Sequence, residues 1–190
     1  MPRRYSLWSS AAAPLLLIGG WTWAAAVQRD GFDSRHETIS ALAADNADHR
    51  WIMTLALLGV GLCHLVTARG LRPIALPARV MLGVGGAATL LVAAFPLPAS
   101  GTSGPHQAAA TIAFAGLALW PALWRQAGAG PVRPPATVMV PAALVLAALV
   151  LLFTLALGTG TLIGLAERLA AGAQAVWPLA TVLLLRRHPR

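Results

Sequence analysis

The sequence predicts an all-α integral membrane bundle of about six transmembrane helices, forming one domain over residues 1–190. Three observations carry this. Hydrophobic residues make up 57% of the 190-residue chain and charged residues only 11%, against about 25% charged in a soluble domain. The apolar residues fall in long Ala, Leu, Gly and Val runs, each close to the roughly 20 residues that a membrane crossing needs. The charges sit in the short segments between those runs, and all fourteen basic residues are arginine.

The first run, residues 7–27, follows Arg3 and Arg4 and ends near Ala24-Ala25-Ala26, a pattern shared with signal peptides. Its apolar stretch is too long for a signal-peptide core, so it reads as an uncleaved first span. A polar segment, 28–50, leads to the second span, 51–68. Arg69, Arg72 and Arg79, broken by Pro73 and Pro77, precede the third, 80–95. A Gly/Pro/Ser loop, 96–105, leads to the fourth, 106–124. Arg125, Arg133 and the Pro134-Pro135 break precede the fifth, 136–157. The turn 158–161 leads to the sixth, 162–185, and the chain closes on Arg186, Arg187 and Arg190.

Six crossings sort the charges by side. The N-terminus, the second and fourth connections and the C-terminus carry ten arginines and no acid. The other side carries Arg29, Arg35, Arg50 and Arg168 with all six acids, Asp30, Asp33, Glu37, Asp45, Asp48 and Glu167. The positive-inside rule then places both termini in the cytoplasm and the acidic loops outside the cell membrane. The formal charge of +8 is a topology signal on this reading, and nucleic acid is not an expected partner. The lone Cys63 allows no intrachain disulfide. Gly83, Gly85, Gly86, Ala87 and Ala88 in the third span permit close helix contact.

The segment 28–50 is the most informative. Ser34-Arg35-His36-Glu37 fits a capping box with Ser34 as N-cap, opening a short helix at the outer interface that Asn46 ends, with Asp48 capping the second span. Two readings stand: Glu37, His36 and Ser40 face the mouth of the bundle, or Glu37 merely closes its cap. Glu167 is about five residues into the sixth span. A charge there is expensive and faces the bundle interior, either in a polar site or as an ion pair with Arg50 or Arg168. His106 opens the fourth span and either joins the two acids or simply starts its helix. His64 and Gln174 fall near mid-membrane and are expected to bond a neighbouring helix.

Trp8, Trp51, Trp120 and Trp124 lie near span ends, where interfacial belts place indoles. Trp21, Trp23 and Trp177 lie within spans, and their faces can stabilise a cation. No phosphate loop, dinucleotide fingerprint, nucleophile elbow or zinc motif occurs, so neither a cofactor nor a metal is expected.

Glu37-Thr38-Ile39-Ser40-Ala41-Leu42-Ala43-Ala44, His49-Arg50-Trp51-Ile52-Met53, Phe95-Pro96 with its loop to His106, and Gly164-Leu165-Ala166-Glu167-Arg168-Leu169 resemble a prokaryotic multi-pass membrane family. It is catalogued as a domain of unknown function (number 998). The resemblance covers nearly the whole chain. It implies a small helical bundle with polar residues gathered at one end, and it carries no activity. In size, span content and scattered acids the chain also resembles the small membrane-bound terpene cyclases of bacteria and fungi, on those features and not on a matched motif. Those enzymes protonate a terpenoid olefin or epoxide with carboxylic acids.

Three functions are consistent with this reading. The leading one is an enzyme acting on an apolar isoprenoid or lipid-like substrate by acid–base chemistry, in its most concrete form proton-initiated cyclisation. Glu37 and Glu167 are then the catalytic pair, and His36, Ser40, Trp21, Trp23, His106, Arg168 and Trp177 the substrate contacts. A carboxyl taken out of water favours its neutral, proton-bearing form. The alternatives are a transporter or lipid-binding protein using the same cluster as a gate, and a membrane scaffold in which the cluster only sets helix register.

Overall fold

In a computed structural model the chain folds as six α-helices. The structure describes residues 2–29, 31–124 and 135–187. Asp30, Arg125, Arg133, Pro134 and Arg190 lie outside the described residues. The helices are α1 (Arg4–Ala26), α2 (Trp51–Gly70), α3 (Leu76–Ala94), α4 (Gly104–Leu119), α5 (Ala136–Thr159) and α6 (Ile163–Arg187). Each falls within a few residues of an expected span.

Helices α2, α3, α5 and α6 are each long and apolar enough to cross a membrane. The other two fall short of that measure for different reasons. α1 has 23 residues, but Ser6, Ser9, Ser10, Gly19, Gly20 and Thr22 dilute its apolar run. It still lies antiparallel along the whole of α2. The Arg3 N–H donates to Gly70 O at 3.1 Å, the Ser9 and Thr67 hydroxyls bond at 2.7 Å, Gly20 rests against Ala56, and Gln28 bonds the backbone of Asp48. α4 has 16 residues, roughly 24 Å at 1.5 Å per residue, and a 3₁₀ turn at Trp120–Leu123 extends it.

Consecutive helices pack on one another from α1 to α4, and α6 returns to close the ring against α1. α5 stands outside, against α6 and α4. Only 17% of its most apolar stretch is buried, against 50% for α2, so most of its surface is exposed. Pro135 precedes α5, and Gly160, at φ 75°, ends it in the left-handed conformation that glycine tolerates.

Glycines set the spacing of α2, α3 and α4. A Cβ at Gly61 would lie 2.7 Å from the Gly86 carbonyl, and one at Gly86 would lie 2.9 Å from both the Gly61 carbonyl and the His64 Cβ. A Cβ at Gly85 would lie 2.7 Å from Leu117 Cγ, and Gly116 meets Gly85 backbone from the other side. Within the expected small-residue patch of α3, Gly85 and Gly86 make the close approach. Gly83 has its nearest neighbours at 3.9 Å, and Ala87 is exposed.

The two glycines give a paired test. Gly86→Ala should destabilise the protein by about 1–3 kcal/mol through overpacking against backbone. Gly83→Ala should be neutral or stabilising by up to about 1 kcal/mol, because alanine is the better helix former. Thermal unfolding of the two variants in one detergent checks the opposite signs.

Candidate functional site

The α1–α2 connection folds inward as a plug, built from local hydrogen bonds. Asp33 organises its first turn. Its carboxylate accepts from Arg35 N–H at 2.9 Å and pairs with His36 Nδ1 at 2.7 Å, while its own N–H donates to Glu37 Oε1 at 2.9 Å. The cap is therefore Asp33, one residue before the expected Ser34, and the segment makes two separate turns instead of one helix. Asp33 wins because its carboxylate reaches the Arg35 N–H. The second turn is the 3₁₀ segment Ser40–Ala43, and Thr38 Oγ1 accepts from Ala41 N–H at its start. Asp48 bonds Arg29 N–H and leaves the start of α2 without a side-chain cap.

Ile39, Leu42, Ala43 and Ala44 are buried, the first three packed with residues of α1, α2, α3, α4 and α6. Irregular backbone at this depth is tolerable only where protein covers it and its polar groups are paired. The start of α6 supplies the partners. Leu165 N–H, one of the donors a helix start leaves free, donates to Arg35 O at 3.0 Å. Arg168 Nη1 donates to Ser34 O and Glu37 O, both at 2.8 Å, and to Gly164 O at 3.0 Å. Its guanidinium carbon stands 5.7 Å from the Phe32 ring centroid, a cation–π distance. Gly164 lacks a side chain where the Glu37 carbonyl presses against α6.

Glu167 completes the set. It is 4% exposed. Its Oε2 accepts the Ile39 N–H, and Ser40 Oγ lies 3.5 Å from Oε1. Neither expected ion pair forms. Arg50 bonds Asp45, and Arg168 is committed to carbonyls. Adjacent residues on α6 thus satisfy opposite polarities of one peptide segment, the carboxylate taking an N–H and the guanidinium taking C=O groups.

Beneath the plug lies a cavity of ≈ 60 Å³ walled by α1, α2, α3, α4 and α6. Its walls are apolar except for Glu167, Ser40, Thr89, His64 and Gln174. Gln174 Nε2 donates to Phe114 O on α4 at 2.9 Å, the interhelical bond its position suggested. Thr89 bonds Gly85 O within its own helix. His64 is fully buried, with no protein partner for either ring nitrogen among the described residues.

Of the residues singled out from the sequence, Glu167 and Ser40 meet at this cavity. Glu37 and His36 sit on the exposed outer surface, and Arg168 grips the plug. His106 is buried but donates through Nδ1 to Phe95 O at 2.8 Å and does not line the cavity. Trp21 reaches α6 at Gly172. Trp23 is 54% exposed and stacks edge-on against Trp51 at 5.7 Å. Trp177 packs against the core cluster that contains Val182 and Leu185 and does not line the cavity. His64 and Thr89 were not assigned to a site. The available signal was His64 itself, placed four residues after Val60 and three before Thr67 on the buried face of α2. Among the described residues no three His, Cys, Asp or Glu side chains gather as a metal site.

A model of the family described as Protein of unknown function (DUF998) matches residues 10–184, and the chain belongs to that family. No curated protein and no solved structure matches it. The likeness to membrane-bound terpene cyclases gains no support from these comparisons.

Two measurements test the plug. Arg168→Ala leaves carbonyls of Ser34 and Glu37 unpaired, at about 1–3 kcal/mol for each group that stays buried. Hydrogen exchange over residues 34–44 should then quicken by at least tenfold, with Arg168→Lys intermediate because a point charge replaces a fork. On the exposed surface, the hydrogen bond from His36 holds the Asp33 carboxyl below its usual range, with Arg35 N–H adding to the effect. A depressed carboxyl contributes stability above its unfolded value and loses it as pH falls through its folded value. His36→Ala should raise the Asp33 midpoint toward the ordinary value, read by carbon-13 NMR titration. An unchanged midpoint would remove this pairing.

Proposed function

We propose that this member of the DUF998 family is a membrane enzyme that acts by acid–base chemistry on the end of an apolar isoprenoid or lipid-like chain, with Glu167 as its proton-bearing group. The observation that carries the reading is the position of the Glu167 carboxyl, buried in a spanning helix and opening on an apolar cavity. Ionisable side chains inside membrane spans face functional sites by default. Apolar walls favour a hydrocarbon over a file of water, which needs polar partners along its length.

Cavity size narrows the chemistry. Pockets for drug-sized molecules run to about 300–1,000 Å³, well above ≈ 60 Å³. The site therefore suits the end of a linear chain, with its double bond beside Glu167. Cyclisation of a folded polyprene would require the plug to lift. Glu37, bonded to Asp33 on the outer surface, shapes the plug in this reading and does not touch the reacting carbon. Ser40 orients the Glu167 carboxyl.

A transport path gains less support. Between the cavity and the far end, the core is filled by Leu82, Trp120, Met139 and Val182. The sidedness we propose follows the arginines. Arg3, Arg4, Arg69, Arg72, Arg79, Arg186 and Arg187 lie on the segments at the end away from the plug, and the positive-inside rule makes that end cytoplasmic.

The test is lipid and terpenoid mass spectrometry on host cells grown partly in deuterated water and fed prenylated precursors. Wild type should yield a product isomeric with its precursor and carrying one solvent deuterium. Glu167→Gln should lower that product by about 10²–10⁴-fold, the contribution of a positioned general acid, and Glu37→Gln should retain most of it. Identical profiles for wild type and Glu167→Gln would sink the acid–base reading.

A further inference from the structure

The cavity has polar groups at two levels. Leu57 to His64 on α2, Ala110 to Leu117 on α4 and Glu167 to Gln174 on α6 all line it. Each pair is about two helical turns apart, roughly 10 Å. These three helices all run from the plug toward the far end, so three independent rulers agree on a slim space of that length. Glu167 and Ser40 stand at the plug end, and His64 stands at the inner end. Apolar residues such as Val60, Ala113 and Phe114 lie between.

His64 is the unusual member. Gly61 and Gly86 bring α2 and α3 backbone to backbone beside it, and the His64 Cβ lies within 2.9 Å of where a Cβ on Gly86 would sit. The imidazole is thus held by helix packing. It is fully buried and lines the cavity, with neither ring nitrogen bonded to the protein among the described residues. A buried imidazole offers one donor and one acceptor in its neutral form, and leaving such groups unmatched is unfavourable. A hydrocarbon cannot match them. A hydroxyl can donate or accept, and a carbonyl can accept.

We propose that His64 is the inner ligand contact of this cavity, hydrogen-bonding the hydroxyl or carbonyl of a short linear amphiphilic chain whose apolar body lies along the walls toward Glu167. The site then selects functionalised chains over plain hydrocarbons. This deepens the reading of the cavity as a substrate site and rests on it, but it concerns binding and is tested without turnover.

The probes are geraniol and the matching diene hydrocarbon that lacks its hydroxyl, titrated into full-length protein in lipid nanodiscs. Histidine-selective nitrogen-15 spectra of wild type should show a saturable shift of the His64 ring signals with geraniol and none with the diene. Geraniol should bind about tenfold more tightly, the worth of one buried hydrogen bond. His64→Leu should bring the two affinities together, and His64→Gln should restore part of the difference. The preference is read by binding and needs no turnover, which separates this inference from the acid–base reading. If wild-type protein shows His64-dependent geraniol binding while it makes no deuterated product, the chemistry fails and the binding contact stands. Equal affinities in wild type, a preference that survives in His64→Leu, or His64 signals that no probe moves would each overturn the proposal.

Discussion

One peptide segment held at two polarities is the constraint on which this molecule turns. A membrane bundle can admit irregular backbone only if every buried N–H and C=O finds a partner. Here a single step along α6 supplies both kinds. Glu167 takes the Ile39 N–H, and Arg168 gives its Nη1 hydrogens to the Ser34 and Glu37 carbonyls. Neighbouring side chains on a helix diverge by about 100°, so they serve different stretches of the plug and do not neutralise one another. The exchange explains why an acid and an arginine stand side by side near one end of an apolar helix without forming an ion pair within 4 Å among the described residues.

The plug and the glycine seam both bound the cavity. Gly61, Gly85, Gly86 and Gly116 draw α2, α3 and α4 together along its side. The plug caps it with Ile39 and Ser40. The space is small because helix approach and plug both narrow it. Its polar groups belong to elements fixed for packing reasons, α2 by its glycines and α6 by its grip on the plug. Precision at Glu167 and His64 thus comes from backbone approach, which side-chain rearrangement does not easily undo.

Much of the architecture was legible in the sequence. Apolar run length and arginine placement located six helices to within a few residues, because lipid leaves the backbone no other option. The plug was legible in part. The acid–hydroxyl pattern around Ser34 marked a turn, but two acceptors, Asp33 and Ser34, compete for it, and only three-dimensional packing decides. Glu167 was visible because a carboxylate inside an apolar run has no innocent explanation. Its true partner was not, since Ile39 contributes a backbone N–H, and backbone groups leave no trace in residue identity. Glu37 illustrates the converse. Its sequence neighbourhood allowed two readings, facing the bundle mouth or closing a cap, and the turn at Asp33 directs its side chain outward and sends its carbonyl inward. His64 was noticed by depth alone; that it lacks a helix partner depends on the Gly61–Gly86 contact beside it.

The outlying α5 has a consequence in time. Being so little buried, it adds little to the walls, yet removing one crossing would deliver α6 with its acid and arginine at the wrong end. α5 is what gives the last helix the right parity. The Ile39–Glu167 contact spans 128 positions of chain, and synthesis proceeds at about 5–20 residues per second. For on the order of ten seconds, then, each newly made molecule holds a plug whose buried donors and acceptors have no α6 to meet. Until the final hairpin arrives, that segment can rest only in water or at the interface, and the last helix made is the one that draws it in.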